Sequence, residues 1–230
     1  MNPTLLRDIY FKHGIKKKKK LRWYKTPKEQ DPDKQAQLLK TMKMLLTKAR
    51  NDGYRIVYID ETCFTRKTVI DAEWARPKEN MAVAVAMLEE QTLALLCGIS
   101  KEQVVEHHRV FEFSVNVDKF IEYIDFMRAA NRDEKICLFM DNLSAHTAER
   151  SKEAMRERGF RWIYCVPYQL IWNPIELAFS IVKRNFKTLR ARKLMGLIQD
   201  GHESLVKQAV QTVKKKDIIA CVNHVQKLLQ

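Results

Sequence analysis

The sequence predicts an α/β fold with a mixed five-stranded sheet and helices on both faces. After residue 53 the apolar pattern changes from helical spacing to short β-rich runs, and the first three runs have the short connections typical of antiparallel strands. The last two runs alternate with helices, which predicts parallel crossovers. With 46% apolar residues, the 230-residue chain can bury a sizeable core.

Two helices are predicted before the sheet. Residues 4–15 form a short helix closed by Gly14, a typical signal for a helix C-terminus. Residues 26–33 contain two prolines and are predicted to be a linker. Residues 34–50 carry apolar side chains at helical spacing, and the turn-forming residues 51–53 end that helix.

Five β-rich runs follow, and the first and fourth of them end in aspartate. Residues 89–91 are predicted to be a hairpin turn between the second and third strands. The predicted strands are 55–60, 81–88, 92–99, 135–141 and 161–166, and the predicted helices are 117–130, 147–158, 174–191 and a basic helical remainder to residue 230.

The composition argues against several classes of protein. No stretch of about 18 apolar residues occurs, so no transmembrane helix is predicted. The first six residues lack the basic-then-apolar layout of a secretory signal. Five cysteines without a C-x-x-C pair argue against a disulfide scaffold or a zinc ribbon, and they predict a reducing compartment.

The net charge of +14 is unevenly distributed along the chain. Residues 1–50 carry 15 basic and 4 acidic groups, residues 51–180 carry 16 and 21, and residues 181–230 carry 11 and 3. The basic ends predict a polyanionic partner, with nucleic acid the default. The acidic middle indicates bound cations and metal-dependent phosphate chemistry, and a solvated acidic surface between basic tails is the alternative.

A basic run near the N-terminus is a candidate nucleic-acid contact or nuclear import signal. Two aromatic residues, Trp23 and Tyr24, follow it directly, which modestly favours nucleic-acid contact over a merely solvated run. The basic residues are Lys16, Lys17, Lys18, Lys19, Lys20 and Arg22.

Three acidic residues stand at the ends of predicted elements. Asp60 and Asp141 end strands, and Glu176 lies in the first turn of a helix that begins after Asn173. Each has a structural alternative, since Asp caps turns and a Glu three residues after Asn173 fits a capping box. Converging strand ends are, however, where α/β proteins place ligands. Three carboxylates close together repel one another unless they hold cations, and two Mg²⁺ ions with oxygen ligands would suit phosphodiester chemistry.

These residues resemble the catalytic motifs of mariner-superfamily transposases, which are DDE recombinases. Asp-Asn-x-x-x-His and Asn-Pro-x-Glu are the specific elements, and 34 residues separate the second and third acids, as this superfamily favours. Trp74-Ala75-Arg76 is similar to the family's tryptophan-containing turn, with Pro77-Lys78 where a glycine is usual. The matching segments are 58–64, 139–146 and 173–176, within a resemblance that covers roughly residues 54–190.

The resemblance implies a ribonuclease-H-like domain in which Asp60, Asp141 and Glu176 bind two Mg²⁺ ions, replaceable by Mn²⁺. It implies that Asn142, His146 and Asn173 support the site, with a local helix role as the alternative for His146. It further implies water attack at a transposon end, then attack of the freed 3′-hydroxyl on target DNA. The implied partners are double-stranded DNA and a second copy of the chain, with no membrane and no small-molecule substrate. A eukaryotic host would place the protein in the nucleus.

The resemblance also divides the chain. Residues 1–33 are interpreted as a basic segment left from a helix-turn-helix DNA-binding region, followed by the linker. Residues 34–192 are the expected catalytic domain, and residues 193–230 are the expected basic helical tail. The family has two helix-turn-helix units before its catalytic domain, and residues 5–24 are similar only to the end of the second.

Two other functions stay open on the sequence. A transposase-derived protein could bind DNA through its basic ends without chemistry. A ribonuclease-H-like nuclease acting on RNA–DNA hybrids or Holliday junctions is disfavoured by the 34-residue spacing and the Asn-Pro-x-Glu element. Locally, His107-His108 is interpreted as an exposed loop pair, and Glu61 as a neighbour of the site because adjacent strand residues point to opposite faces. Trp172 could pack on the helix or contact DNA.

Overall fold

The structure is a computed structural model that describes residues 9, 11–13, 31–65, 91–102, 106–167 and 169–229. Several sequence predictions lie outside these residues. They are most of the helix at 4–15, the basic run at 16–22, the turn at 74–76 and the strand at 81–88.

The described residues form five strands and seven helices, and four of these strands lie where strands were predicted, whereas the third was not predicted. The strands are β1 Arg55–Phe64, β2 Leu93–Ile99, β3 Glu106–Glu112, β4 Ile136–Met140 and β5 Arg161–Tyr164. The helices are α1 Pro32–Asn51, α2 Val117–Ala130, α3 Ser144–Thr147, α4 Glu149–Glu157, α5 Ile175–Leu194, α6 His202–Gln211 and α7 Lys215–Leu229, with one 3-10 turn at Leu170–Trp172.

The strands form one five-stranded sheet in the order β3-β2-β1-β4-β5. β1 pairs antiparallel with β2, and β2 pairs antiparallel with β3. β1 pairs in parallel with β4, and β4 in parallel with β5. The predicted mixed sheet is therefore confirmed, with its antiparallel strands first and its crossover strands later.

The exposed loop predicted around His107 and His108 is wrong, because both residues lie on β3. Both are half-buried, and the backbone oxygen of His107 accepts a hydrogen bond of 2.9 Å from the Tyr123 hydroxyl. The segment Glu106–Glu112 lacks apolar alternation, so its sequence gives no strand signal. It forms a strand because it occupies the open edge of β2, where backbone pairing decides the structure.

Two predicted helices are divided in the structure. The helix predicted at 147–158 is preceded by a separate turn, α3, because the backbone of Ala148 is extended between α3 and α4. The basic remainder forms α6 and α7, separated by residues 212–214. Within the described ranges, none of the helices combines the length and apolar character needed to cross a lipid bilayer.

Helices cover both faces of the sheet, as predicted. Alternate residues of β1 point to opposite faces, so Tyr58 lies in one apolar cluster and Val57 and Ile59 lie in another. Helices α1, α5, α6 and α7 contribute to the first cluster, and α2 and α4 to the second. Because α6 and α7 bury residues such as Val206 and Val222 there, the C-terminal helices are part of the same core.

Candidate active site

The first two predicted acids are brought together by the pairing of β1 with β4. Asp60 lies within β1, which continues past it to Phe64, so the prediction that this strand ends at Asp60 is wrong. β1 is longer because residues 61–64 pair with β2. Asp141 follows the last residue of β4, as predicted. The parallel register places Tyr58 beside Phe139, so its continuation by two residues places Asp60 beside Asp141. Neighbouring strands are about 4.8 Å apart, which puts the two carboxylates within reach of each other's charge.

The third acid is joined to β1 through Asn173, which is 1% exposed. The Asn173 side-chain amide donates a 3.3 Å hydrogen bond to the backbone oxygen of Ile59, directly before Asp60. Its side-chain oxygen accepts from the Ile175 N–H at 3.4 Å. These contacts fix the start of α5, and therefore Glu176, beside the part of β1 that carries Asp60.

The capping-box alternative for Glu176 finds no support in the structure. The N–H of Asn173, which the Glu176 carboxylate would accept in such a box, instead bonds to the Leu170 carbonyl at 2.9 Å. Among the described residues, the Glu176 carboxylate accepts no hydrogen bond. The carboxylate is therefore not committed to capping its own helix.

Asp60 is a buried acid whose carboxylate receives few hydrogen bonds from its surroundings. Its side chain is 6% exposed, and one oxygen accepts a 2.8 Å hydrogen bond from the Glu61 N–H. Burial and the negative charges of Asp141 and Glu61 raise the pKa of Asp60 to about 8. Removing such a charge from water without a cation is unfavourable, which indicates a position suited to a positive ligand.

Asp141 is held by His146, a fully buried residue of α3. His146 Nδ1 lies 2.8 Å from Asp141 Oδ1, which also accepts from the Leu143 N–H at 3.1 Å. Burial raises the pKa of Asp141, but the hydrogen bond and charge of His146 outweigh it and leave the pKa below its usual value. His146 therefore contacts the second acid, and its role in supporting the site stays a prediction.

Glu61 is closer to this cluster than strand alternation indicates. Its Oε2 lies 3.5 Å from His146 Nε2, and neither atom has a hydrogen-bond partner among the described residues. Burial raises the pKa of Glu61, His146 partly offsets the rise, and Asp141 adds to it. Glu61 does point to the face opposite Asp60, but the His146 ring lies on that face against Phe120 and connects the two sides.

The remaining predicted residues hold the surrounding segments. The Asn142 amide donates a 2.7 Å hydrogen bond to the Cys165 carbonyl and ties the residues after β4 to those after β5. Trp172 donates to the Gln169 side chain at 2.6 Å and packs against the first apolar cluster. The predicted DNA contacts Lys16–Lys20 and Arg22 lie outside the described residues.

The surroundings of Glu176 combine charge with apolar surface. Burial raises the pKa of Glu176, the nearby Lys183 partly offsets the rise, and Asp141 adds to it. A hollow of about 240 Å³ lies next to the carboxylate. Its lining includes Leu170, Ile171 and Leu177, which are unusually exposed for apolar residues at 46%, 61% and 39%.

The donor set fits a hard divalent cation. The acids supply oxygen ligands, and burial together with the charges of Asp141 and Glu61 raises the pKa of Asp60. In the described part of the chain, no group of three or more His, Cys, Asp or Glu side chains is arranged to hold a metal ion. Mg²⁺ commonly uses one or two carboxylates and completes its shell with water and substrate phosphates, so a closed protein cage is not required.

Comparison with solved structures identifies the fold. The Mos1 strand transfer complex matches with a TM-score of 0.64 at 15% identity, covering 98% of this chain and 67% of that chain. The Mos1 mariner paired end complex with Mn matches with a TM-score of 0.60 at 16% identity, covering 100% and 69%. The catalytic domain of Mos1 mariner transposase matches with a TM-score of 0.57 at 12% identity, covering 90% and 94%.

Comparison by sequence identifies the family. No curated protein gives a match. Residues 55–195, more than half of the chain, match the family of DDE superfamily endonucleases, and this range contains all three acids. The chain therefore belongs to the DDE superfamily endonucleases, with the ribonuclease-H-like fold of the mariner transposase catalytic domain.

Proposed function

We propose that the chain is a DDE transposase that cuts and rejoins DNA phosphodiesters with two divalent metal ions during cut-and-paste transposition. The observation that supports this proposal is that the β1–β4 register and the Asn173–Ile59 hydrogen bond bring the segments carrying Asp60, Asp141 and Glu176 together, near enough for the other two charges to act on Asp60. The match to the DDE endonuclease family supports the same reaction class.

In this proposal each acidic side chain has a positional role. Asp60 holds the buried side of the site, Asp141 is oriented by His146, and Glu176 closes the site from the start of α5. Two bound Mg²⁺ ions would supply Lewis acidity at the phosphodiester and a lowered pKa for the attacking water or 3′-hydroxyl. No covalent bond between protein and DNA is needed.

The proposed partners are transposon-end DNA and target DNA. Structurally similar proteins form a strand transfer complex and paired end complexes, and two of these complexes contain Mn or Mg. By analogy we expect two copies of this chain to bring two DNA ends together. Nuclear localisation in a eukaryotic host follows from the same proposal.

The decisive experiment is a nicking assay on supercoiled plasmid DNA with about 10 mM Mg²⁺ or Mn²⁺, an excess over a weak ion site. Wild type is compared with Asp141→Asn and Glu176→Gln, which keep side-chain size and remove charge. Asp133→Asn is the matched control, since Asp133 is exposed and lies outside the site. We expect metal-dependent nicking by wild type and the control, and none by the two site variants.

Salt-dependent DNA binding, measured on the same preparations, separates the alternatives. Binding retained by all four proteins with no nicking by any would favour a transposase-derived DNA-binding protein without chemistry. Equal nicking by wild type and both site variants would contradict the assignment of the acids. Thermal unfolding of each preparation shows whether a loss of nicking reflects a loss of folding.

A further inference from the structure

A second cavity lies beside the first residues of β1, before the strand reaches Asp60. It has a volume of about 410 Å³ and opens between α1, α7 and the first residues of β1. The lining residues that matter for binding are Lys43, Arg50, Tyr54, Tyr58, Lys101 and Gln226. This cavity shares no lining residue with the candidate active site, so what it binds is independent of the proposed function.

The cavity carries an excess of positive charge. Arg55, which also lines it, is neutralised by Glu134, whose carboxylate lies 2.6 Å from the guanidinium. Lys43, Arg50 and Lys101 make no ion pair among the described residues, and Glu102 is the one acid in the lining. Three cations facing one carboxylate indicate a site for an anion of more than one charge.

Neutral hydrogen-bonding groups stand among these cations. Tyr58 is 3% exposed, and its hydroxyl oxygen accepts a hydrogen bond of 3.5 Å from Arg50 Nη2. Gln226 also lines the cavity, and burial raises the pKa of Tyr58, which keeps its hydroxyl protonated at neutral pH. A carboxylate has two oxygens, whereas a phosphate monoester has three terminal oxygens and matches this larger number of polar groups better.

The rest of the wall is apolar and aromatic. Leu46, Ile56 and Val222 contribute aliphatic surface, and Tyr54 contributes a ring. The volume falls in the range of pockets that enclose small molecules, whereas a DNA duplex is a convex rod that cannot enter a cavity of this size. We propose that this cavity binds a phosphate monoester of nucleotide size, with the phosphate at Lys43, Arg50 and Lys101 and the apolar part of the ligand against the aliphatic wall.

Isothermal titration calorimetry on the full chain tests the proposal. The probes are deoxyadenosine monophosphate, deoxyadenosine, inorganic phosphate and a short DNA duplex without terminal phosphates. The test variant combines Lys43→Ala with Lys101→Ala. Its control combines Lys40→Ala with Lys48→Ala, two exposed lysines of α1 outside the lining, so both variants lose the same net charge. Tyr58→Phe removes only the hydroxyl and keeps the ring that packs on Phe139.

We expect the monophosphate to bind wild type. Deoxyadenosine, which lacks the phosphate, should bind wild type about tenfold or more weakly, and the test variant should bind the monophosphate about tenfold or more weakly. The control should stay within about twofold of wild type, and Tyr58→Phe should lie between them. Inorganic phosphate binding more weakly than the monophosphate supports the nucleotide-sized ligand, and equal binding would overturn that part. No binding of the monophosphate, equal losses in the two double variants, or a loss confined to the duplex would overturn the whole proposal.

Discussion

The two ends of β1 carry opposite charge within one strand. At its start, the cavity lined by Lys43, Arg50 and Lys101 is basic, and farther along the strand Asp60 meets other acids. The cations at the start are half-buried or exposed and keep water, whereas Asp60 is 6% exposed. A charge on Asp60 therefore lowers the stability of the fold more than the charges of the cavity do when no ligand is bound, because burial raises the free energy of an unpaired charge.

The apolar middle of the sheet joins these two ends. Phe139 is fully buried on β4, and its ring packs edge-to-face on Tyr58 at 5.5 Å between centroids. The same strand leads to Asp141 two residues later. Both ends should therefore fail together when the middle is damaged, and separately when only one end is changed.

The largest expected effect is the loss of folding stability caused by Phe139→Ala. Removing a buried aromatic ring leaves a cavity and lowers the free energy of unfolding by about 3–5 kcal/mol. Denaturant unfolding measures it, with Phe139→Leu as the control that keeps most of the apolar volume. We expect nicking and monophosphate binding to fall in parallel with the folded fraction, and a loss confined to one end would break the comparison.

Asp60→Asn should separate activity from stability at the acidic end. We expect nicking to fall by more than about 100-fold, the upper end for residues that only support metal ligands. Without metal at pH 8, the free energy of unfolding should rise by a few kcal/mol, because one unit of pKa corresponds to about 1.4 kcal/mol. Asparagine still accepts the Glu61 N–H, so the backbone contact is kept.

The gain in stability from Asp60→Asn should depend on pH, because the pKa of Asp60 is raised in the folded protein. The pKa of Asp60 is about 8 in the folded protein and 3.8 as the ordinary value, so the folded state binds the proton more tightly. The wild type therefore loses stability as pH rises from about 4 to about 8, and the gain from Asp60→Asn should grow over that window. Thermal unfolding measures it, and a gain that is constant from pH 4 to pH 8 would contradict the burial argument.

His146→Gln should have an intermediate effect, confined to the acidic end. Loss of the 2.8 Å contact to Asp141 should raise the Mg²⁺ concentration for half-maximal nicking, or lower the rate, by about 10–100-fold. A merely structural role would lower the melting temperature without changing the Mg²⁺ requirement of the folded fraction. Monophosphate binding at the basic end is the internal control and should not change.

The smallest effect is expected for an ion pair away from both ends. Asp118 and Arg150 lie 2.9 Å apart with side chains 70% and 69% exposed. Asp118→Asn should change the free energy of unfolding by less than about 1 kcal/mol, because water and salt screen exposed pairs. A larger loss in denaturant unfolding would show that surface charge matters here as much as buried charge does.

The local pattern of apolar residues was enough to predict several helices and strands. Val117–Ala130 was predicted with the bounds that the structure gives, since Phe120, Ile124 and Met127 repeat at helical spacing. The predictions failed where tertiary pairing overrides local pattern, as at β3. The interpretation of Glu61 as a neighbour of the site rather than a metal ligand stays a prediction. The fold and family resemblance are confirmed, and the metal-ligand roles of the three acids remain predictions.

The sequence by itself determined that Asp141 follows a strand and that Glu176 lies in the first turn of a helix, because the apolar run before Asp141 and the Asn-Pro start before Glu176 are local features. It did not show that β1 continues past Asp60 to Phe64, since pairing with β2 holds that part of the strand. Only the tertiary structure decided that His146 joins Asp141 to Glu61 and that a basic cavity lies at the start of β1. Such sites depend on distances between residues far apart in the chain. Those distances are set by strand register and helix packing, which no local pattern encodes.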